Sequence, residues 1–204
     1  MCHVQAARGT SLTPDPTRQG EPAARPRRFG LLVFVALLVL LLDQATKALV
    51  VATMPGRPPV EVVGQWLQIT YALNPGAAFS VGTGLTVVFT AIAIVVVLVI
   101  LRVGRRLRSV GWAIALGGIL GGALGNLVDR LSRPPAPMRG HVVDWIQVPH
   151  YPVFNLADSA IVCSAVLMVV LSLRGIGLDG SRPGDAKPAA VLSPGAGVAH
   201  DHDG

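Results

Sequence analysis

Val142–Asp158 reads VVDWIQVPHYPVFNLAD and sets two aspartates, Asp144 and Asp158, at the ends of a short loop broken by Pro149 and Pro152. Asp144 follows a pair of valines, and Asp158 opens the apolar run SAIVCSAVLMVVLSL. A carboxylate at the mouth of a membrane span is expensive to place, so it marks a functional site by default. Two carboxylates brought together divide their labour: one keeps a proton while the other acts as a base.

Working outward, 51% of the 204 residues are apolar and only 14% are charged, unlike an ordinary soluble domain. The apolar residues fall into four blocks at 29–51, 85–101, 110–128 and 159–173. The last reaches spanning length if it begins near Phe154. A helix crosses a bilayer with roughly 17 to 25 residues. One such block is ordinary for a buried core helix; four in succession predict a polytopic membrane protein. The third block, GWAIALGGILGGALGNL, has the small residues that let membrane helices approach closely.

The net charge of +6 follows topology rather than nucleic-acid binding. Arg25, Arg27 and Arg28 precede the first span; Arg102, Arg105, Arg106 and Arg108 fill the second connection; Arg174 follows the fourth span. The positive-inside rule places both termini and the second connection in the cytoplasm. Arg130, Arg133 and Arg139 lie in the outer third connection and weaken that bias without reversing it. No stacking aromatics interleave with the arginines, so nucleic acid is not an expected partner.

Residues 1–28 lack apolar periodicity and are expected to be a disordered cytoplasmic tail, as is the Gly-, Pro- and Ala-rich stretch 175–204. A cleaved signal peptide fits the N-terminal third poorly, because no small-residue cleavage site follows and the apolar run resumes beyond Asp43. Cys2 and Cys163 support no disulfide framework, and His200 and His202 are too few and loose for a metal site. The working domain is therefore 29–174: an all-α bundle of four transmembrane helices. A small extracytoplasmic β-rich region is expected between spans 1 and 2, where VEVVGQWLQITYAL is rich in β-formers. Trp66, Tyr71 and Trp145 fit an interfacial aromatic belt.

Other polar residues gather near the outer ends of the spans. Asp43 and Lys47, at i and i+4, share a helix face and either neutralise each other or organise a site. Asn74 lies in a turn-forming Asn-Pro-Gly sequence. Asn126 and Asp129 share a face with Arg130 beside them; Asp129 competes for a catalytic role, but is favoured as a structural partner of Arg130 or Lys47. Asn155 stands one turn before Asp158 and is placed to bond a carboxyl, while Asp158 also suits a helix N-terminus.

With DQATK at 43–47, NPGAAF at 74–79, GGALGNLVDR at 121–130, VVDW at 142–145 and FNLADSA at 154–160, the chain resembles the lipoprotein signal peptidases (signal peptidase II). The motifs fall in the family's order across the four spans. The resemblance implies a bacterial inner-membrane aspartic endopeptidase without a cofactor or metal. It cuts prolipoproteins on the N-terminal side of a diacylglyceryl-modified cysteine. It implies Asp144 and Asp158 as the catalytic pair, and Asp43, Asn74, Asn126, Arg130 and Asn155 as supporting residues; Lys47, Gly76, Asp129 and Ala157 complete the expected supporting or substrate-binding set. Leu73 and Ser80 depart from the usual pattern around the NPGAAF motif, and the segment LSRPPAPMRGH is unusually long and Pro-rich. Membrane lipids are the expected surroundings, the active site the extracytoplasmic face, and a monomer the expected state.

From another class, a small ion or proton transporter is the rival, but it expects carboxylates along the depth of a pore. An intramembrane aspartic protease with a Gly-x-Gly-Asp motif is a third reading, and that motif is missing.

Overall fold

A computed structural model describes residues 26–76 and 85–183, so Ala77–Phe79 of the NPGAAF motif, the Ser80 that follows it and most of both tails lie outside the described residues. The four apolar blocks form α1 (Phe29–Thr53), α2 (Thr86–Gly104), α3 (Val110–Ser132) and α4 (Leu156–Leu173). All four are long and apolar enough to cross a membrane. Between them run β1 (Val60–Val63), β2 (Leu67–Asn74) and β3 (Val142–Gln147).

The glycine-rich third block is the central helix, because its small residues admit neighbours on two sides. A Cβ on Gly117 or Gly121 would lie 2.8 or 2.6 Å from the α1 carbonyls of Leu32 and Ala36. One on Gly122 would lie 2.5 Å from the Ala157 carbonyl of α4. Spacing by four residues thus makes one groove per neighbour, and backbones pack closer than any larger side chain allows. The other helices turn large apolar residues outward, among them Leu41, Val95 and Val166. Such exposure is costly in water and natural in hydrocarbon.

The three strands form one antiparallel sheet in the order β1-β2-β3. Its first two strands come from the connection expected to be β-rich. The third comes from the connection between α3 and α4, where a strand was not expected. Val142, Val143 and Asp144 are all buried, so β3 begins without the in-and-out alternation that betrays a half-buried strand. Tyr71 and Trp145 are not free interfacial residues either. They pack with Val143 against Val50 and Met54 at the end of α1 and fasten the sheet to the bundle. Trp66, by contrast, is 75% exposed.

At the other end, the chain does not leave the bundle at Gly175, where the sequence suggested a tail. It turns back onto α3: Trp112 Nε1 donates to the Ile176 carbonyl at 2.7 Å, and Arg108 and Ser109 amides donate to that of Leu178.

Candidate active site

The α4 N-terminus explains the geometry around Asp158. Asn155 is its N-cap, accepting from the Asp158 amide at 3.0 Å through its side chain, while Asp158 Oδ2 accepts from the Asn155 amide at 3.2 Å. This capping box satisfies two otherwise unpaired amides and fixes the Asp158 side chain. Its other oxygen, Oδ1, accepts from Asn126 Nδ2 at 2.8 Å.

Sheet register brings Asp144 to the same place. Ala72 pairs with Asp144 and Asn74 with Val142, so Asn74 and Asp144 lie diagonally on one face of adjacent strands. Asn74 Nδ2 donates to Asp144 Oδ2 at 3.0 Å, and its carbonyl oxygen accepts from the Gly76 amide at 2.9 Å. Asn155 Nδ2 donates to Asp144 Oδ1 at 2.7 Å. A single asparagine therefore touches both aspartates, one through its side-chain amide and the other through its cap.

Asp144 is 2% exposed. Burial pushes its carboxyl up to about 6; the charge of Asp158 adds to the rise, and the Asn74 and Asn155 hydrogen bonds and the Lys47 charge oppose it. Its partners are neutral donors rather than cations, so the carboxyl can hold or release a proton near neutral pH.

Beneath the pair lies a dry ionic cluster. Lys47, itself fully buried, pairs with Asp43 at 2.8 Å and Asp129 at 2.9 Å, and donates to Asn126 Oδ1 at 2.9 Å. Asp43 Oδ1 accepts from the Ala157 amide at 3.0 Å, next to Asp158. Asp129 Oδ2 accepts from the Val143 amide at 3.2 Å, next to Asp144. Through Asp43, Asp129 and Asn126, one ammonium thus holds backbone or side chain beside each aspartate. These charges are enclosed under the site and do not line a path through the bundle.

Of the two partners expected for Asp129, the structure gives Lys47, and it adds Arg133 at 2.6 Å in place of the neighbouring Arg130. Residues i and i+4 share a helix face and adjacent ones do not. Arg130 sends Nη2 to the Gly76 carbonyl at 2.7 Å and, among the described residues, leaves Nη1 buried without a hydrogen-bond partner. Sequence reading also missed Gln44, which bonds Asp43 at 3.1 Å and the Gly125 carbonyl at 3.0 Å. The signal was a second polar residue inside a span; that of Arg133 was hidden by its reading as a topological charge.

Asn74, Gly76, Asn126, Arg130, Asp144 and Asp158 line the polar side of a cleft of about 240 Å³. Its other wall is apolar, from Tyr151 and Phe154 to Ile161 and Val162 on α4. Val162 is 57% exposed, so this wall continues onto the outer face of the bundle. Among the described residues, no group of three or more His, Cys, Asp and Glu side chains is arranged to hold a metal.

The model of the signal peptidase (SPase) II family matches residues 35–174. A lipoprotein signal peptidase of Streptomyces coelicolor is 52% identical over 155 residues, covering 76% of each chain. That of Mycobacterium avium is 51% identical over 166 residues, 81% of this chain and 91% of the relative. A solved bacterial membrane enzyme superposes with a TM-score of 0.69 at 26% identity, covering 81% of this chain and all of the other. Its fold, its matched motifs and relatives at half identity or better agree: the chain belongs to the signal peptidase II family of lipoprotein signal peptidases.

Proposed function

We propose that Asp144 and Asp158 are the catalytic pair of this membrane aspartic endopeptidase. It removes the signal peptide from diacylglyceryl-modified prolipoproteins, cutting on the N-terminal side of the lipidated cysteine. The observation that carries this reading is the convergence of two carboxylates from separate elements on one cleft. Both are held by neutral asparagine amides, while nearby Asp129 is held by cations.

The pair shares one proton. The ionised carboxylate takes a proton from a water between the two, the hydroxyl attacks the scissile carbonyl carbon, and the protonated carboxyl donates to the carbonyl oxygen. Collapse of the tetrahedral intermediate then breaks the C–N bond, with the proton passing to the leaving amine. Arg130 Nη1, Asn74 and the Gly76 backbone lie where a peptide backbone would pass. The apolar wall through Ile161 and Val162 suits a diacylglyceryl group arriving sideways from the bilayer, which limits the scissile bond to productive orientations. In this reading the cleft faces the extracytoplasmic side, both termini are cytoplasmic, and one chain suffices.

The test is cleavage of a diacylglyceryl-modified prolipoprotein by the purified chain, followed by gel shift, beside Asp144→Asn, Asp158→Asn and Asp129→Asn. The parent cleaves and neither dyad variant does. Activity that survives Asp144→Asn and vanishes with Asp129→Asn would move the catalytic role to Asp129.

A further inference from the structure

The end of the bundle opposite the aspartates holds a second cavity, of about 260 Å³, walled by three separate stretches of chain. Pro26 and Arg28 precede α1, Arg108–Gly111 lead into α3, and Ile176, Gly180 and Arg182 follow α4. Backbone bonds pin the stretches together: the Arg28 amide donates to the Leu107 carbonyl at 2.8 Å, and the Arg108 and Ser109 amides to that of Leu178 at 3.0 and 3.1 Å. Three arginines thus line one concavity at the end of the spans.

Two features suit the concavity to an anion. Among the described residues Arg28 Nε is buried without a hydrogen-bond partner, and a buried unpaired donor on a charged group is costly. Independently, α3 starts in the cavity wall with no side-chain cap from Ser109, so its first amides and the positive end of its dipole face the same space. The nearby carboxylate, Asp179, accepts from the amide and hydroxyl of Ser181 at 2.9 and 2.7 Å. Apolar Val110 and Leu171 complete the wall.

We propose that this cavity binds the phosphate of an anionic phospholipid headgroup, with Arg28 and Arg108 as its main partners. A guanidinium presents a fork of donors that matches phosphate oxygens, and an uncapped helix N-terminus adds amide donors to the same anion. The cavity lies where three spans end, the depth of a headgroup, and its apolar wall suits the glycerol backbone better than water. A lipid there ties the segments before α1 and after α4 to the start of α3.

The test is native mass spectrometry of the full chain in detergent micelles, titrated with phosphatidylglycerol or phosphatidylcholine. The chain retains one phosphatidylglycerol in preference, and Arg28→Gln with Arg108→Gln weakens that retention by about tenfold or more. Arg105→Gln with Arg106→Gln removes equal charge from the same connection, but those arginines line a different hollow, so retention stays. Arg108→Gln alone gives a smaller loss and decides the matter if the double variant does not fold. Equal retention of both lipids, or equal loss in the two double variants, would reduce the effect to diffuse charge and overturn the site. Displacement of the lipid by inorganic phosphate at equal concentration would overturn the assignment to a lipid.

Discussion

A methyl group added at Gly125 tests how rigidly the aspartates are supported. The new Cβ would lie 2.5 Å from Asp43 Oδ2, 3.0 Å from its Cγ and 3.3 Å from the Ala157 Cβ. Ordinary contact begins near 3.4 Å, so the Asp43 carboxylate must retreat by roughly 1 Å. It is not free to do so. Lys47 holds it at 2.8 Å, Gln44 at 3.1 Å and the Ala157 amide at 3.0 Å. The displacement therefore passes to the first turn of α4, which carries Asp158, and to the ammonium that supports Asn126. Overpacking costs about 1–3 kcal/mol, and alanine returns about 1 kcal/mol as the better helix former, so the net loss of stability is modest. Activity suffers more, because a misplacement of about 1 Å at a catalytic group costs on the order of 100-fold. Gel-shift rates and thermal midpoints, measured beside Gly30→Ala, separate the two effects. Residue 30 has nothing within 4 Å of its added Cβ, so that variant keeps full activity. A Gly125→Ala chain that cleaves at the parent rate would refute the claim that Asp43 is a fixed support.

The pH profile follows from Asp144. Its folded value of about 6 lies above the usual 3.8, so the proton is lost as pH rises through about 6, and kcat/KM of the free enzyme falls on that limb. The same displacement makes stability greatest below about pH 4 for this group and lost by about 3 kcal/mol above pH 6, a slope that Asp144→Asn removes in a thermal-shift series. Lys47→Met leaves fully buried Asp43 without a cation, and removal of one partner from a buried pair costs about 3–5 kcal/mol, so the thermal midpoint drops sharply. Arg133→Gln breaks an ion pair with a partly exposed partner while Asp129 keeps Lys47; about 1 kcal/mol or less is lost, and an equally large fall would contradict the ranking of Lys47 over Arg133.

The sequence made the spans legible through run length, and the Asn155–Asp158 cap through a three-residue interval. Both are local signals, fixed by helix geometry and hydrocarbon thickness. The sheet was legible only where one strand alternated. β3 starts as a buried run, and its role emerges from pairing with β2, a contact between positions some 70 residues apart in the chain. Tyr71 and Trp145 carry a role that composition hides for a related reason: an aromatic near a membrane boundary looks the same whether or not it also clamps a sheet onto a helix.

The choice between Asp129 and Asp144 shows where sequence position alone stops. Both stand near the same end of the bundle, and both are almost fully buried. Their difference lies in their partners. Asp129 meets two cations, at 2.9 and 2.6 Å, and its remaining contact is the Val143 amide. A carboxylate bound on both oxygens by cations and a backbone amide is fixed in place and is not free to turn toward a substrate. Among the described residues Asp144 accepts only from the amides of Asn74 and Asn155, and it opens onto the cleft. Neutral donors orient the carboxyl without fixing its charge, which is what an acid–base group requires. Neither set of partners is fully written in the spacing around its aspartate: Arg133 stands at i+4 from Asp129, but Lys47 comes from α1 and Asn74 from β2. The resemblance points to Asp144 and Asp158; the physical reason the proposed pair includes Asp144 is that buried Lys47 pairs with Asp43 and Asp129, buried Arg130 bonds the Gly76 carbonyl, and Asp144 is left to asparagines.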